Sequence, residues 1–84
     1  MFEYGSLWEN GEVFVERVAV EFKPHRWMGT LSYTGRPYVA DGGVYVLKLD
    51  DGTSEAIEIY SPRKTWNNGP LTIVAPFNPA KPAP

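Results

Sequence analysis

A chain of 84 residues with a net charge of −2 and no cysteine has room for one domain and none for a disulfide framework or thiolate chemistry. The near-neutral, mildly acidic balance argues against a strongly electrostatic partner such as duplex nucleic acid or an anionic membrane. The missing disulfides fit a reducing compartment, so a cytoplasmic location is expected.

A domain this small buries only about 60% of the surface its unfolded chain exposes, so each large apolar residue counts. Three tryptophans, five tyrosines and four phenylalanines can fill a small core economically, because each ring buries much area. The opening residues, Met1 to Ser6, show no cationic stretch followed by an apolar run, so no signal peptide is expected. The longest apolar run is far too short to span a bilayer as a helix.

Phe2 to Glu9 reads as a first strand, with Phe2, Tyr4, Ser6 and Trp8 on one face. Asn10-Gly11 carries the type I′ turn signal, and Glu12 starts the return. Glu9 and Glu12 then flank the turn as solvated carboxylates or, on a sharper reading, as a cation-attracting tip. Glu12 to Phe22 is the longest strand, and its apolar phase changes midway. Val13 and Val15 share one face, while Val18, Val20 and Phe22 share the other. A bulge at Glu16-Arg17 explains the slip, and a bulge also bends a strand toward a barrel or a sandwich.

Pro24 lacks an N–H and ends the ladder within the Lys23 to Arg26 connection. Trp27 to Thr34 alternates, with Trp27, Gly29, Leu31 and Tyr33 facing in. A longer loop, Gly35 to Gly42, leads to the clearest hairpin of the chain, Gly43 to Tyr60. Its first strand, Val44 to Leu49, is apolar on both faces, a pattern expected of a strand covered on two sides. Asp50-Asp51-Gly52 forms the turn, and Ala56 to Tyr60 is the return strand. Ser61 to Gly69 reads as a polar loop, and Pro70 to Phe77 as the last strand. Asn78 to Pro84 reads as a mobile proline-rich tail outside the sheet, with a polyproline II bias as its one handle for a partner.

The expected fold is therefore all-β: six mainly antiparallel strands over residues 1–77 in a small barrel or sandwich, with a disordered tail at 78–84. Its core should comprise Trp27, Leu31, Tyr33, Tyr45, Leu47, Leu49, Ile57, Ile59 and Ile73. Alternating strand directions put the Asn10-Gly11 turn and the 35–42 and 61–69 loops at one end. That end collects Arg36, Tyr38, Arg63, Lys64, Trp66, Asn67 and Asn68 beside Glu9, Glu12 and Asp41. The other end sets Lys23, His25 and Arg26 opposite Asp50 and Asp51.

The candidate binding residues are Arg36, Tyr38, Arg63, Lys64, Trp66 and Asn67. The aromatics supply contact area, and the arginines supply forked hydrogen bonds to carboxylates. The bland alternative is that Trp66 folds back as a lid on the core. Aromatics interleaved with cations also suit single-stranded nucleic acid, but three carboxylates at the same end and the lack of a basic excess count against it. No catalytic residues are assigned. His25 is the only histidine, so an enzyme would have to pair it with nearby carboxylates, and no Gly-x-Ser-x-Gly motif supports Ser32, Ser54 or Ser61 as a nucleophile. No metal-ligand spacing or calcium loop is present, and no metal or cofactor is expected. An open six-stranded sheet would leave edges through which a homodimer can pair.

Tyr4-Gly5, Gly11-Glu12 before alternating valines, Phe22, Pro24, Trp27, Gly29 and Leu31 form one set of marks. Leu49 with Asp51-Gly52, Trp66, Leu71, Ile73 and the proline-rich end form another. Together they resemble a family of small bacterial all-β domains of unknown function, sometimes appended to flavin-dependent monooxygenases. The Lys23 to Arg26 connection is shorter than that family's pattern. The resemblance implies an all-β fold and an accessory role, with no catalytic residues to carry over. The favoured reading is a non-catalytic binding or accessory module that contacts a protein or small ligand through the 35–42 and 61–69 loops.

Overall fold

Strands follow one another without a helix in the computed structural model, which describes residues 2–23, 27–66 and 69–80. They are β1 (Glu3–Glu9), β2 (Glu12–Phe22), β3 (Gly29–Thr34), β4 (Val44–Leu49), β5 (Ser54–Ile59), β6 (Arg63–Thr65) and β7 (Thr72–Pro79). The sheet runs β3-β2-β1-β4-β5-β7, and β7 pairs back onto β3, so six antiparallel strands close into a barrel. β6 is the extra strand. It follows β5 along the same edge of β7, with β5 opposite 77–79 and β6 opposite 72–74. The polar loop read from Ser61 to Gly69 thus contains a short strand, where three residues find open ladder positions on β7.

Closure has a local cause in β2. Gly5 pairs with Val18 and Leu7 with Val15, so three steps on β2 oppose two on β1. That is the bulge expected at Glu16-Arg17, and it lets both Val15 and Val18 face the core. A second irregularity follows, because Trp8 pairs with Val13. It turns Val13 outward rather than onto the face of Val15, and lays Phe14 against Tyr45 with ring centroids 5.0 Å apart. Bulges add bend and twist, which a curling sheet needs to meet its own far edge. Gly5 serves the same fold from β1. A Cβ there would collide with the Lys48 carbonyl oxygen and lie 3.0 Å from the Leu49 Cα, so only glycine lets β1 and β4 approach this closely.

The barrel interior is filled by side chains from every strand of the ring, among them Leu7, Val20, Leu31, Leu47, Ile57, Ile73 and Phe77. Eight of the nine expected core residues are buried. Trp27 is the exception. It precedes β3, with φ 69°, and lies half-buried at the rim with its ring edge-on to Phe22. Phe22 in turn packs edge-on against Phe77. A large ring at a barrel end closes the bottom of the core without entering it.

Two further expectations change. β4 is not covered on two sides, since Val44 and Val46 are 53% and 36% exposed while Tyr45, Leu47 and Leu49 point inward. The barrel has one interior, and among the described residues no second layer packs on this face. The last strand starts and ends later than expected: β7 runs to Pro79, and the Ala80 amide donates to the Ala56 carbonyl. Pro76 fits because its carbonyl accepts from the Tyr60 amide, while its missing N–H is not needed at that point. Asn78 and Pro79 therefore belong to the sheet, and residues 81–84 of the expected tail lie outside the described residues. Among the described residues, no helix is long and apolar enough to cross a membrane.

Candidate functional site

The 35–42 loop owes its shape to two tyrosines rising from the core. Tyr33 donates its hydroxyl hydrogen to the Pro37 carbonyl at 2.6 Å and accepts from the buried Val39 amide at 3.0 Å. Tyr45 accepts from the Ala40 amide at 3.0 Å. Both residues sit on strands with their rings buried, so their hydroxyls act as fixed posts at the barrel mouth. Burial pushes the Tyr33 hydroxyl above the ordinary tyrosine value, opposed by the Val39 hydrogen bond and reinforced by neighbouring Tyr45 and Tyr38. The Arg36–Pro37 peptide bond is cis. Beyond Ala40 the Gly42 amide donates to the Ile59 carbonyl, and the Ile59 amide donates to the Gly43 carbonyl.

The facing wall comes from β6 and the start of β7. Ser61, at φ 42°, turns the chain out of β5, and its amide donates to Asp41 Oδ1 at 2.9 Å. The Tyr38 hydroxyl donates to the Pro62 carbonyl at 2.8 Å. These two bonds tie the 35–42 loop to the entry of β6. The Thr65 hydroxyl spans to the Thr72 carbonyl at 3.4 Å.

Between the two walls lies a groove of about 550 Å³, lined by Gly35, Arg36, Pro37, Tyr38, Lys64, Trp66, Leu71 and Ile73. Ile73 is fully buried, so it forms the floor. Trp66 is 66% exposed and Tyr38 42%, so the aromatic walls face solvent. Lys64 Nζ stands 4.7 Å from the Tyr38 ring centroid. A cation over a ring face is attracted by its quadrupole, which here holds the ammonium at the groove.

Four of the six sequence-derived candidates therefore meet: Arg36, Tyr38, Lys64 and Trp66. Arg63 does not join them. It is exposed on β6 beside Lys64, and strand alternation sends neighbouring side chains to opposite faces. Asn67 and Asn68 lie outside the described residues. Pro37, Leu71 and Ile73 were missed as site residues. The Leu71-x-Ile73 alternation marked a core strand, and nothing local signals that its upper end floors a groove.

The carboxylates expected at this end do not line the groove. Asp41 is engaged with the Ser61 amide. Glu9 and Glu12 pair with each other across the first hairpin, as the turn signal implied. Glu16 lines a neighbouring hollow of about 450 Å³ with Val13, Phe14, Thr34 and Arg36, so Arg36 stands between two depressions. At the opposite end the expected pairing also shifts. Asp50 binds Arg17 at 2.7 Å, and Arg17 lies over the Tyr4 ring at 4.8 Å. Lys23 reaches Glu21 at 3.9 Å. His25 and Arg26 lie outside the described residues. Asp51 serves its turn, accepting from the Thr53 amide and hydroxyl.

Fold and site together define a small closed β-barrel bearing an aromatic and cationic groove at one mouth. Comparisons with protein-family models, curated proteins and solved structures found no match.

Proposed function

We propose that the protein is a non-catalytic binding or accessory module. Its groove between the 35–38 loop and the β6–β7 hairpin takes a partner that presents an anionic group beside an aromatic or apolar one. The observation that carries this reading is the convergence of Arg36, Tyr38, Lys64 and Trp66 on one groove without a carboxylate in its lining. Arg36 offers a planar fork that matches a carboxylate, and Lys64 a point charge. Tyr38 and Trp66 offer rigid area at low entropic cost. The groove's size suits a small ligand or a few residues of an extended peptide. The lack of cysteine supports action in a reducing compartment such as the cytoplasm.

An amide-resolved NMR titration with short acidic peptides containing aromatic residues, and with small aromatic carboxylates, tests this. Shifts confined to residues 35–38, 64–66 and 71–73 are expected, and Trp66→Ala should abolish them. Shifts elsewhere, or none with any probe, overturn the reading.

One observation favours a second reading, single-stranded nucleic acid. Removing Asp41, Glu9 and Glu12 from the groove takes away the main electrostatic objection to stacked bases and bound phosphates there. Binding of short oligonucleotides that weakens steeply with salt would support it, and no binding at low salt eliminates it.

A further inference from the structure

The seam between β2 and β3 is joined along only part of its length. β2 pairs with β1 from Glu12 to Val20, but with β3 only over residues 19–22. The bulge between Val15 and Val18 falls just before the first residue that meets β3. A bulge bends a strand and can end a ladder, so the upper part of β2 leaves its neighbour there. Among the described residues, no backbone group bonds to residues 13–17 on the side away from β1. Across the gap, Thr34 of β3 pairs with Thr72 on β7, its other side.

This gap is the hollow of about 450 Å³ that meets the mouth groove at Arg36. Residues 13–17 of β2 form one flank, and Thr34 and Arg36 the other. Successive strand side chains point to opposite faces, so a run of consecutive residues lines one hollow only where it follows the strand's edge. At an edge the unpaired N–H and C=O groups point outward, a ready template for another strand. The chain's own side chains are held elsewhere: Arg17 by Asp50 at 2.7 Å, and Phe14 against the Tyr45 ring. Glu16 and Arg36 stand exposed on opposite flanks, and among the described residues neither forms an ion pair.

We propose that the gap is a β-addition site, which takes one extended segment of another polypeptide as a strand beside the upper part of β2. A hollow walled on both flanks admits a lone strand and excludes the edge of another sheet, so β2 of a second copy does not fit. Main-chain hydrogen bonds supply the affinity, and alternate side chains the specificity. Side chains turned inward meet Phe14 and Val15 and should be apolar. Side chains turned outward lie between Glu16 and Arg36 and should carry one base and one acid. The site is separate from the mouth groove, with Arg36 as their one shared lining residue, so either can fail without the other.

Two capped peptides, Thr-Val-Lys-Val-Glu-Val-Thr and the same with Lys and Glu exchanged, test it in an amide-resolved NMR titration. At least one should shift residues 13–17 and Thr34, and slow amide exchange within 13–17. N-methylation of its central valine, or of the residue before it, blocks one edge of the peptide without changing a side chain. One of the two should weaken binding by about tenfold. Glu16→Lys, at an exposed position, should also weaken binding by about tenfold, and replacing the peptide's lysine with glutamate should restore it. Trp66→Ala should leave this binding unchanged, which separates it from binding at the groove. Failure of both peptides to bind, shifts at residues 64–66 and 71–73 instead, indifference to both N-methylations, or no recovery on charge exchange overturns the proposal.

Discussion

Replacing Tyr33 with phenylalanine removes one oxygen and keeps the ring in the core. That oxygen serves two backbone groups, the Pro37 carbonyl at 2.6 Å and the Val39 amide at 3.0 Å. Pro37 is exposed, so its carbonyl can turn to water. Val39 is fully buried, and its amide would be left without an acceptor. An unsatisfied buried donor costs about 1–3 kcal/mol. A loss of about 2 kcal/mol in a domain of this size lowers Tm by about 8–16 °C. Urea unfolding followed by circular dichroism should show a lower midpoint with an unchanged slope. Amide exchange should accelerate at Val39 but not at Ile57 or Ile73. The pH dependence has a defined sign. Burial holds the Tyr33 hydroxyl above the ordinary value of 10.0, so the folded chain keeps this proton longer than the unfolded chain. Its contribution is complete below about pH 10 and is lost as pH rises through the elevated folded value. The deficit of Tyr33→Phe should therefore narrow in strongly alkaline solution. A destabilisation below about 0.5 kcal/mol with Val39 still protected would refute the idea that this hydroxyl organises the loop.

Gly5→Ala should cost about 3 kcal/mol, the upper end for overpacking, because the clash is with β4 backbone rather than a movable side chain. Thermal unfolding reads it directly. Trp66→Ala should change stability by less than about 0.5 kcal/mol, since the ring is largely exposed, while abolishing ligand-induced shifts at the groove. A large stability loss would mean that Trp66 is part of the core. Asp50→Asn should cost no more than about 1 kcal/mol, because both partners of the Arg17–Asp50 pair are mostly solvent-exposed, and high salt should erase the difference. Phe77→Ala should cost about 3–5 kcal/mol by opening a cavity where β7 meets Phe22.

Much of the barrel was legible because its signals are local. The Asn10-Gly11 turn puts Glu9 opposite Glu12, and the valine phase slip at Glu16-Arg17 is a bulge. Tyr33, Tyr45, Leu47, Ile57 and Ile73 are core because period-2 alternation reports a face directly. Other residues misled for identifiable reasons. Val44 and Val46 read as a second buried face, since an apolar residue looks the same whether it is covered or not. Arg63 to Thr65 read as loop because a three-residue strand has no period to detect. Asn78-Pro79 read as tail because proline usually ends a ladder, yet the ring leaves β5 beside it to be paired. At the site, Arg36, Tyr38, Lys64 and Trp66 were identifiable by residue type and by the alternation of loop ends. Their floor was not.

The sequence by itself determined an all-β chain, the turns, the bulge and most of the inward-facing side chains, because each depends on contacts between near neighbours and on the side-chain period of a strand. Only the tertiary structure decided that the sheet closes, that Trp66 stands in solvent, and that Asp41 is engaged away from the groove. These outcomes depend on β3 meeting β7 and on residue 41 meeting residue 61, pairings between segments distant in the chain. Such encounters are settled by the mutual fit of all strands around one interior, and no short stretch of sequence carries that information.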